Sequence, residues 1–289
     1  MDLTSRALIK TLFRRYKIRP LKKFGQNFLI DKDILKQIVE AADISPEEVI
    51  LEIGPGIGNL TQELAKKAKK VVTIEKDQKM VEILKEVTKN FQNIKIIERD
   101  ILKIDPKSYL LNTKSYKIVA NLPYYIVSPV IRKFLESKFP PKEMILMAQK
   151  EVAQRICAKP PDMNLLAISV QFYARPEIVS YVSKKSFWPQ PKVDGAILKI
   201  SKIKNQKSKI NKNLFFKIVR AGFSHPRKQI LNNLSKGLAL SLPNGLKLEK
   251  EQVRFWLLKN GVQPNQRAET LKIEDWIKLA KSMIAVKIK

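Results

Sequence analysis

The sequence predicts an α/β fold, in which helices cover a parallel β-sheet, followed by a small all-helical domain. Between residues 49 and 200, short apolar runs typical of strands alternate with segments of helical period. After a polar, basic segment at 201–209, only helical periods follow. A length of 289 residues suits two domains. We place the α/β domain at 1–203, with a basic N-terminal extension at 1–22, a basic linker at 204–212 and the helical domain at 213–289.

The elements of the α/β domain follow from local patterns. Asp31 is a suitable N-cap for a helix that reaches about Ala42, with Ile34, Leu35 and Ile38 on one face. Strands are predicted at 49–53, 71–74, 94–97, 116–120, 143–147, 178–182 and 194–200, the last two joined as in a hairpin. Further helices are predicted at 80–87, 127–135, 149–158 and 164–172.

A glycine-rich turn follows the first strand of the sheet. Gly54, Gly56 and Gly58 lie in this turn, and a helical pattern begins after it. Because glycine lets the backbone approach a ligand closely, Gly54 and Gly56 are candidate ligand-binding residues. The spacing G-x-G-x-G differs from the dinucleotide fingerprint G-x-G-x-x-G, and Glu52 lies inside the strand. Binding of a pyrophosphate next to this carboxylate is unfavourable, whereas a ligand with a cationic amino acid part is compatible with it.

Acidic residues end the next two strands. Glu75 lies about 20 residues after the glycines, where a carboxylate can accept hydrogen bonds from both hydroxyls of a ribose. Asp100 ends the following strand and can accept a hydrogen bond from the amino group of an adenine. Since ligands of such sheets bind at the carboxyl ends of the strands, this ordered series predicts a nucleoside site.

The segment Asn121-Leu122-Pro123-Tyr124 can hold an amino group attached to a flat aromatic ring. The side-chain oxygen of Asn121 and a backbone carbonyl held by Leu122-Pro123 can accept both hydrogens of the amine, and Tyr124 offers a face for stacking. This combination indicates adenine N6. A strand-ending turn would use the same residue types. Beside a nucleoside site, the segment favours methyl transfer with S-adenosyl-L-methionine as the cofactor.

The chain resembles the small-subunit ribosomal RNA adenine N6-dimethyltransferases (KsgA type) over nearly its whole length. The matching blocks, in the family's order, are KFGQNFL at 23–29, EIGPG at 52–56, NLPY at 121–124, QKEVA at 149–153, FWPQPKVD at 187–194 and PNQRAETL at 264–271. The resemblance implies a Rossmann-like class I methyltransferase sheet with a small C-terminal all-helical domain. It also implies dimethylation of N6 of two adjacent adenosines near the 3′ end of that RNA, with a role in small-subunit biogenesis.

The resemblance assigns further residues of the site. It implies that Asn27 and Leu29 lie over the methionine and adenosine of the cofactor, and that Asn121 neighbours the cofactor as well as the amine. Phe187 is implied as the second aromatic contact of the target base, although most Phe residues belong to the core. Two prolines that follow Phe187 favour a rigid surface loop.

The predicted chemistry rests on positioning. A sulfonium is already a strong electrophile, whereas the lone pair of an adenine amine is delocalised into the ring. Acceptors from Asn121 and the Pro123 region would favour the pyramidal nitrogen needed for attack. The predicted catalytic residues are therefore Asn121, Pro123, Tyr124 and Phe187. No metal is expected, because a single Cys and a single His exclude a zinc site built on such residues.

The composition agrees with an RNA partner. The chain has 56 Lys and Arg against 27 Asp and Glu, a formal net charge of +29, which attracts polyanions. Charge alone does not separate RNA from DNA or an anionic membrane. A membrane is disfavoured because no run approaches the roughly 18 apolar residues of a spanning helix. We expect no secretory signal in residues 1–20, and the single Cys suits a reducing cytoplasm.

Three departures from the family pattern lie outside the predicted cofactor blocks. Residues 159–166, KPPDMNLL, replace a Gly-rich segment with Tyr-Gly. Gly195 stands where a Ser is usual, and His225-Pro226 replaces a more basic stretch. The resemblance implies that the first of these segments lies near the place where RNA enters.

Two other functions fit part of the pattern. The large-subunit adenine dimethyltransferases share the superfamily, but the block at 264–271 resembles the small-subunit group. An RNA-binding assembly or transcription factor could keep the fold without catalysis, but the intact set at 75, 100, 121, 123 and 124 argues against that loss. The expected partner is small-subunit ribosomal RNA in a pre-small-subunit particle, and the expected state is a cytoplasmic monomer.

Overall fold

The computed structural model describes residues 2–18, 26–110, 113–203, 210–239 and 249–286. Contacts divide the chain into two compact units. The first unit comprises Met1–Ala153 and Ala174–Lys202, and the second comprises Gln154–Tyr173 and Ile203–Lys289. Both the N-terminal segment and the predicted site residues therefore fall in the first unit.

The boundary between the units differs from the expected one at residues 154–173, which we had placed in the α/β domain. Phe172 and Ile168 are buried in the core of the second unit, where the ring centroids of Phe172 and Phe215 are 4.2 Å apart. Helical periodicity shows which face of a helix is apolar, but not which core that face joins. Of the expected linker at 204–212, residues 204–209 lie outside the described residues, and Ile210 belongs to the same core.

The first unit is built on a mixed sheet of seven strands and a separate two-stranded pair. The strands are β1 (Phe28–Leu29), β2 (Val49–Ile53), β3 (Lys70–Glu75), β4 (Ile94–Glu98), β5 (Lys117–Asn121), β6 (Glu143–Gln149), β7 (Ala174–Val182), β8 (Phe187–Trp188) and β9 (Gly195–Lys202). The large sheet has the order β4-β3-β2-β5-β6-β9-β7. Strands β2 to β6 run parallel, whereas β9 is antiparallel to both β6 and β7. The predicted hairpin-like path at the end of the sheet is thus observed.

Helices cover the sheet of the first unit and form the second unit. The helices before the second unit are α1 (Arg6–Arg15), α2 (Lys32–Ala41), α3 (Asn59–Ala65), α4 (Gln78–Val87) and α5 (Val127–Leu135), and the unit boundary falls within α6 (Lys150–Ile156). The second unit contains α7 (Leu165–Gln171), α8 (Lys212–Gly222), α9 (Ile230–Ala239), α10 (Lys250–Lys259) and α11 (Ile273–Val286). Its buried core includes Trp256 and Trp276.

The cap predicted for α2 is observed. The Asp31 carboxylate accepts hydrogen bonds from the amides of Asp33 and Ile34 at 3.1 and 3.2 Å. Such a cap satisfies amides that have no partner inside the helix. The same carboxylate accepts the hydroxyl of Ser186 at 2.8 Å, so the cap also links α2 to the start of β8.

The basic N-terminal extension contains a helix that our sequence analysis did not predict. Ile9, Leu12 and Phe13 of α1 are buried against Phe28 and Met80, while the basic residues of α1 remain exposed. The ring centroids of Phe13 and Phe28 are 5.2 Å apart in an edge-to-face arrangement. This packing fixes Phe28 of β1, which lies between two residues expected to contact the cofactor.

Candidate active site

A cavity lies at the carboxyl edge of the parallel strands of the first unit. Its empty volume is about 1160 Å³, including the part open to solvent. All ten residues that sequence analysis proposed for the site line this cavity: Asn27, Leu29, Gly54, Gly56, Glu75, Asp100, Asn121, Pro123, Tyr124 and Phe187. Glu52, which the sequence placed inside the first predicted strand, also lines it.

The glycine turn after β2 requires glycine in the conformation observed. Gly54 has φ +66° and Gly56 has φ +55°, in the left-handed region that side chains disfavour. A Cβ atom on Gly56 would also lie 3.2 Å from the Phe28 ring. The turn therefore brings backbone to the cavity wall where a side chain would fill the space.

Glu75 ends β3 with a buried carboxylate. Its oxygens accept backbone amides of Gly56 at 3.3 Å, Lys76 at 2.8 Å and Asp77 at 2.9 Å. Burial raises the pKa of the Glu75 carboxyl above its ordinary value, although these hydrogen bonds oppose the shift. The amides hold the side chain at the cavity wall, beside the glycine turn.

Glu52 is the second buried acid of the site. It was not among the predicted site residues, although the sequence indicated that its carboxylate is compatible with a ligand that has a cationic amino acid part. The residue is 1% exposed, and its carboxylate accepts the Thr61 hydroxyl at 2.6 Å. Burial raises its pKa to about 8, and the nearby charge of Glu75 adds to the shift. The position of Glu52 inside an apolar run was the available signal, since such a charge is rare without a partner.

Asp100 lies in the turn after β4. Its carboxylate accepts the amide of Leu102 at 2.9 Å, which fixes the side chain at the cavity. The amide of Arg99 donates to the carbonyl of Glu75 at 2.9 Å, so the ends of β3 and β4 are joined directly. The two predicted acidic contacts are thus held at neighbouring strand ends.

The carboxamide of Asn121 has a defined orientation. Its nitrogen donates to the backbone carbonyl of Asn27 at 3.3 Å. A carbonyl only accepts hydrogen bonds, so the contact identifies which end of the carboxamide is the nitrogen. The oxygen is then the end that can accept an amine in the cavity. The contact with Asn27, 94 residues away in the sequence, was not predicted.

The carbonyl of Pro123 is partly used by the protein itself. It accepts the amide of Ile126 at 3.0 Å, in the single 3-10 turn Tyr124–Ile126 before α5. One lone pair of this carbonyl is therefore engaged within the turn. A second lone pair remains chemically able to accept another donor.

The two aromatic residues of the predicted base site differ from expectation in their burial. Phe187 is 1% exposed and pairs with Leu29 across the β1–β8 ladder. The predicted surface loop for Phe187 is therefore wrong, because its ring is packed in the same apolar core as Leu29, although it still lines the cavity. The Tyr124 hydroxyl is buried and has no hydrogen-bond partner among the described residues. Burial, with a smaller effect of Asp194, raises the pKa of Tyr124 to about 12.

Comparisons with known proteins identify the same fold and family along almost the whole chain. A family model described as ribosomal RNA adenine dimethylase matches residues 18–285. The chain is 44% identical over 277 residues to ribosomal RNA small subunit methyltransferase A of Dehalococcoides mccartyi (strain CBDB1), covering 94% of this chain and 91% of that protein. It is 42% identical over 289 residues to the Alkaliphilus metalliredigens (strain QYMF) protein of the same name, covering 98% of each.

Two solved structures are similar over both units of the chain. A dimethyladenosine transferase from Plasmodium falciparum has a TM-score of 0.73 at 30% identity and covers 90% of this chain and 98% of that one. The 23S rRNA methyltransferase ErmE has a TM-score of 0.70 at 25% identity and covers 88% and 98%. The predicted class I methyltransferase sheet with a helical C-terminal part is confirmed. The chain belongs to the ribosomal RNA adenine dimethylase family.

Proposed function

We propose that this protein transfers methyl groups from S-adenosyl-L-methionine to N6 of adenosines in small-subunit ribosomal RNA. One observation carries the proposal: the oriented carboxamide of Asn121 lines the same cavity as the glycine turn and Glu75. The proposal assigns the adenine amine to Asn121 and the ribose to Glu75, and both residues line this cavity. The product is N6,N6-dimethyladenosine at two adjacent positions near the 3′ end of the RNA.

The cavity residues fit the cofactor chemically. In this proposal Glu75 accepts the ribose hydroxyls and Asp100 accepts the amino group of the cofactor adenine, which their positions in the cavity lining support. Two buried acids, Glu52 and Glu75, have no ion pair in the described part of the chain, and a cationic ligand would compensate them. Asn27 and Leu29 form the wall on the side of β1. When bound, S-adenosyl-L-methionine supplies the electrophilic methyl group.

The residues of the chain contribute orientation and hydrogen-bond acceptors. The Asn121 oxygen and a carbonyl of the Pro123 turn accept the N6 hydrogens and favour the tetrahedral nitrogen that attacks. Tyr124 and Phe187 hold the unstacked base by ring contacts. No general base is needed, because the nitrogen loses its proton to water once it has become cationic. Most of the rate enhancement then comes from alignment of the two reacting atoms.

We assign the RNA contacts outside the cavity to the basic surface, including the helical second unit. The net charge of +29 supports binding of a polyanion. The substrate is the RNA within a pre-small-subunit particle, and the enzyme acts as a monomer in the cytoplasm. Within the described residues, no helix combines the length and apolar character needed to cross a bilayer.

The test is transfer of radiolabelled methyl groups to unmethylated small ribosomal subunits. Wild-type protein is expected to label the small-subunit RNA and to leave protein-free large-subunit RNA unlabelled. The similarity to ErmE makes large-subunit RNA the relevant second substrate. Labelling of that RNA alone would assign the protein to the large-subunit reaction. Absence of transfer to either RNA, with cofactor and RNA both bound, would leave an RNA-binding protein without catalysis.

A further inference from the structure

Lys76 and Tyr125 form a cationic and aromatic pair at the cavity that the proposed reaction does not use. The Lys76 ammonium donates to the Tyr125 hydroxyl at 2.8 Å and lies 5.4 Å from the centroid of its ring. Both residues line the cavity, and Tyr125 is 53% exposed. Each directly follows a residue with a proposed role in the sequence: Lys76 follows Glu75, and Tyr125 follows Tyr124.

The exposure of Tyr125 distinguishes it from the other aromatic residues at the cavity. Phe28 and Phe187 are buried, and the hydroxyl of Tyr124 is enclosed. The Tyr125 ring therefore forms an accessible part of the wall, where the cavity meets solvent. An aromatic face beside an ammonium is the arrangement by which proteins hold single-stranded nucleic acid, with stacking on the base and charge on the phosphate.

We propose that Tyr125 and Lys76 bind the nucleotide next to the target adenosine. Its base stacks on the Tyr125 ring, and its phosphate contacts the Lys76 ammonium. The inference rests on the proposed function, which places the target base against Tyr124. Consecutive residues of the protein then contact consecutive nucleotides of the RNA strand.

This platform suits a substrate in which two adjacent adenosines are modified in turn. Stacking on a ring requires no hydrogen bond to N6, so the platform accepts an adenosine with or without methyl groups. The strand can therefore move by one nucleotide between rounds and keep the same contact. Specificity for the amine remains with Asn121 in the interior of the cavity.

The test compares Tyr125→Ala with a matched variant elsewhere in the same unit, Tyr181→Ala. Tyr181 is also 53% exposed and has an ammonium, that of Lys150, 5.2 Å from its ring centroid. Tyr181 does not line the cavity. Steady-state methyl transfer to unmethylated small subunits gives KM for RNA, and calorimetry gives Kd for S-adenosyl-L-methionine.

Loss of one base stack predicts a rise in KM for RNA of about tenfold in Tyr125→Ala, with cofactor Kd unchanged. Tyr125→Phe keeps the stacking face and is expected within about twofold of wild type. Lys76→Met keeps the aliphatic stem and removes the charge, so RNA binding should weaken and depend less on salt. Tyr181→Ala is expected to behave as wild type.

Three results would overturn the proposal. Equal effects of Tyr125→Ala and Tyr181→Ala would show a general surface contribution. A weaker cofactor Kd with unchanged KM for RNA would make Tyr125 part of the cofactor wall. A defect seen with particles but absent with a protein-free RNA fragment that wild type methylates would indicate a protein partner.

Failure of the proposed function gives a different result. If wild type transfers no methyl group, direct binding of a fluorescent single-stranded RNA still measures the platform. Weaker binding by Tyr125→Ala than by Tyr181→Ala would then support the RNA platform without the reaction. Equal binding of the two variants would overturn the platform as well.

Discussion

Buried charges at the two ends of the parallel strands are compensated in different ways. At the amino ends, Lys117 is 3% exposed, and its ammonium pairs with the Glu48 carboxylate at 2.9 Å. It also donates to the carbonyls of Ala42 and Asp43, at the end of α2. At the carboxyl ends, Glu52 and Glu75 are buried, yet their partners are a hydroxyl and backbone amides.

This difference separates a structural network from a ligand site. A buried charge is tolerated when a partner of opposite charge and hydrogen bonds compensate it, as at Lys117. At the other end, burial without an ion pair among the described residues raises the pKa of the carboxyl groups of Glu52 and Glu75. Perturbed acids in a cavity are typical of functional sites. A cationic ligand would therefore compensate the buried acids at the carboxyl edge, whereas the buried charge at the amino edge is already paired within the protein.

The largest effect on stability is expected at the amino edge. Lys117→Met removes one of two cations that pair with Glu48, the other being Lys142 at 3.4 Å, and leaves two carbonyls of the α2 terminus without their donor. A buried acceptor left without a donor costs about 1–3 kcal/mol, so the two carbonyls should lower the free energy of unfolding by about 2–4 kcal/mol. Urea unfolding measures it. Methyl transfer per folded molecule should remain near wild type, and an unchanged midpoint would contradict the structural role.

The largest effect on turnover is expected at the carboxyl edge. Asn121→Ala removes the oriented acceptor, and loss of one such transition-state contact lowers kcat by about 10²–10³-fold. Cofactor Kd should change much less than kcat, and the urea midpoint should change little. Single-turnover transfer at saturating cofactor separates these quantities. A variant that loses cofactor binding but keeps the rate per bound complex would contradict the assignment.

The pH dependence of stability is expected to differ in Glu52→Gln. The folded pKa of Glu52 is raised to about 8 from an ordinary value of 4.5, so the unfolded chain loses this proton first as pH rises. The contribution of Glu52 to the free energy of unfolding is therefore at its maximum below pH 4.5. It falls by up to about 1.4 kcal/mol per pH unit between pH 4.5 and pH 8, and it levels off above pH 8.

Glutamine cannot titrate, so the variant's stability should fall less across this window and exceed wild type at the alkaline end. Some slope remains, because burial also raises the pKa of Glu75. Thermal unfolding at a series of pH values, without cofactor, gives the comparison. Parallel curves for the two proteins would show that Glu52 does not titrate in this range.

The smallest effect on stability is expected at Gly195, which lies next to the Tyr124 hydroxyl. A Cβ atom there would lie 3.5 Å from the Tyr124 hydroxyl and 3.1 Å from the Met147 sulfur. Gly195→Ser can supply the buried phenol with a hydrogen-bond partner, worth about 1 kcal/mol. Gly195→Ala adds the same crowding without a hydroxyl and serves as the control. The serine variant should unfold at the higher temperature of the two, and equal midpoints would reject the hydrogen bond.

Local signals in the sequence predicted many elements of this site. The Asp31 cap, the turn at Gly54 and Gly56, and the acids at the ends of β3 and β4 depend on short-range backbone geometry, which residue type largely determines. The order of these elements then implied one ligand edge. Such features were readable because each involves residues within a few positions of one another.

Contacts between distant residues required the tertiary structure. The bond between Asn27 and Asn121 joins positions 94 apart, and the pair of Lys76 and Tyr125 joins positions 49 apart. The burial of Phe187 was missed because it depends on packing with residues distant in the sequence, Leu29 among them.

The sequence by itself determined the class of fold, the candidate site residues and their order along the chain. Only the tertiary structure decided which core residues 154–173 join, how the Asn121 carboxamide is turned, and that the two buried acids at one edge form no ion pair with the described residues. Periodicity and motifs report the preferences of short segments. Burial and pKa depend on atoms that packing brings together from separate parts of the chain.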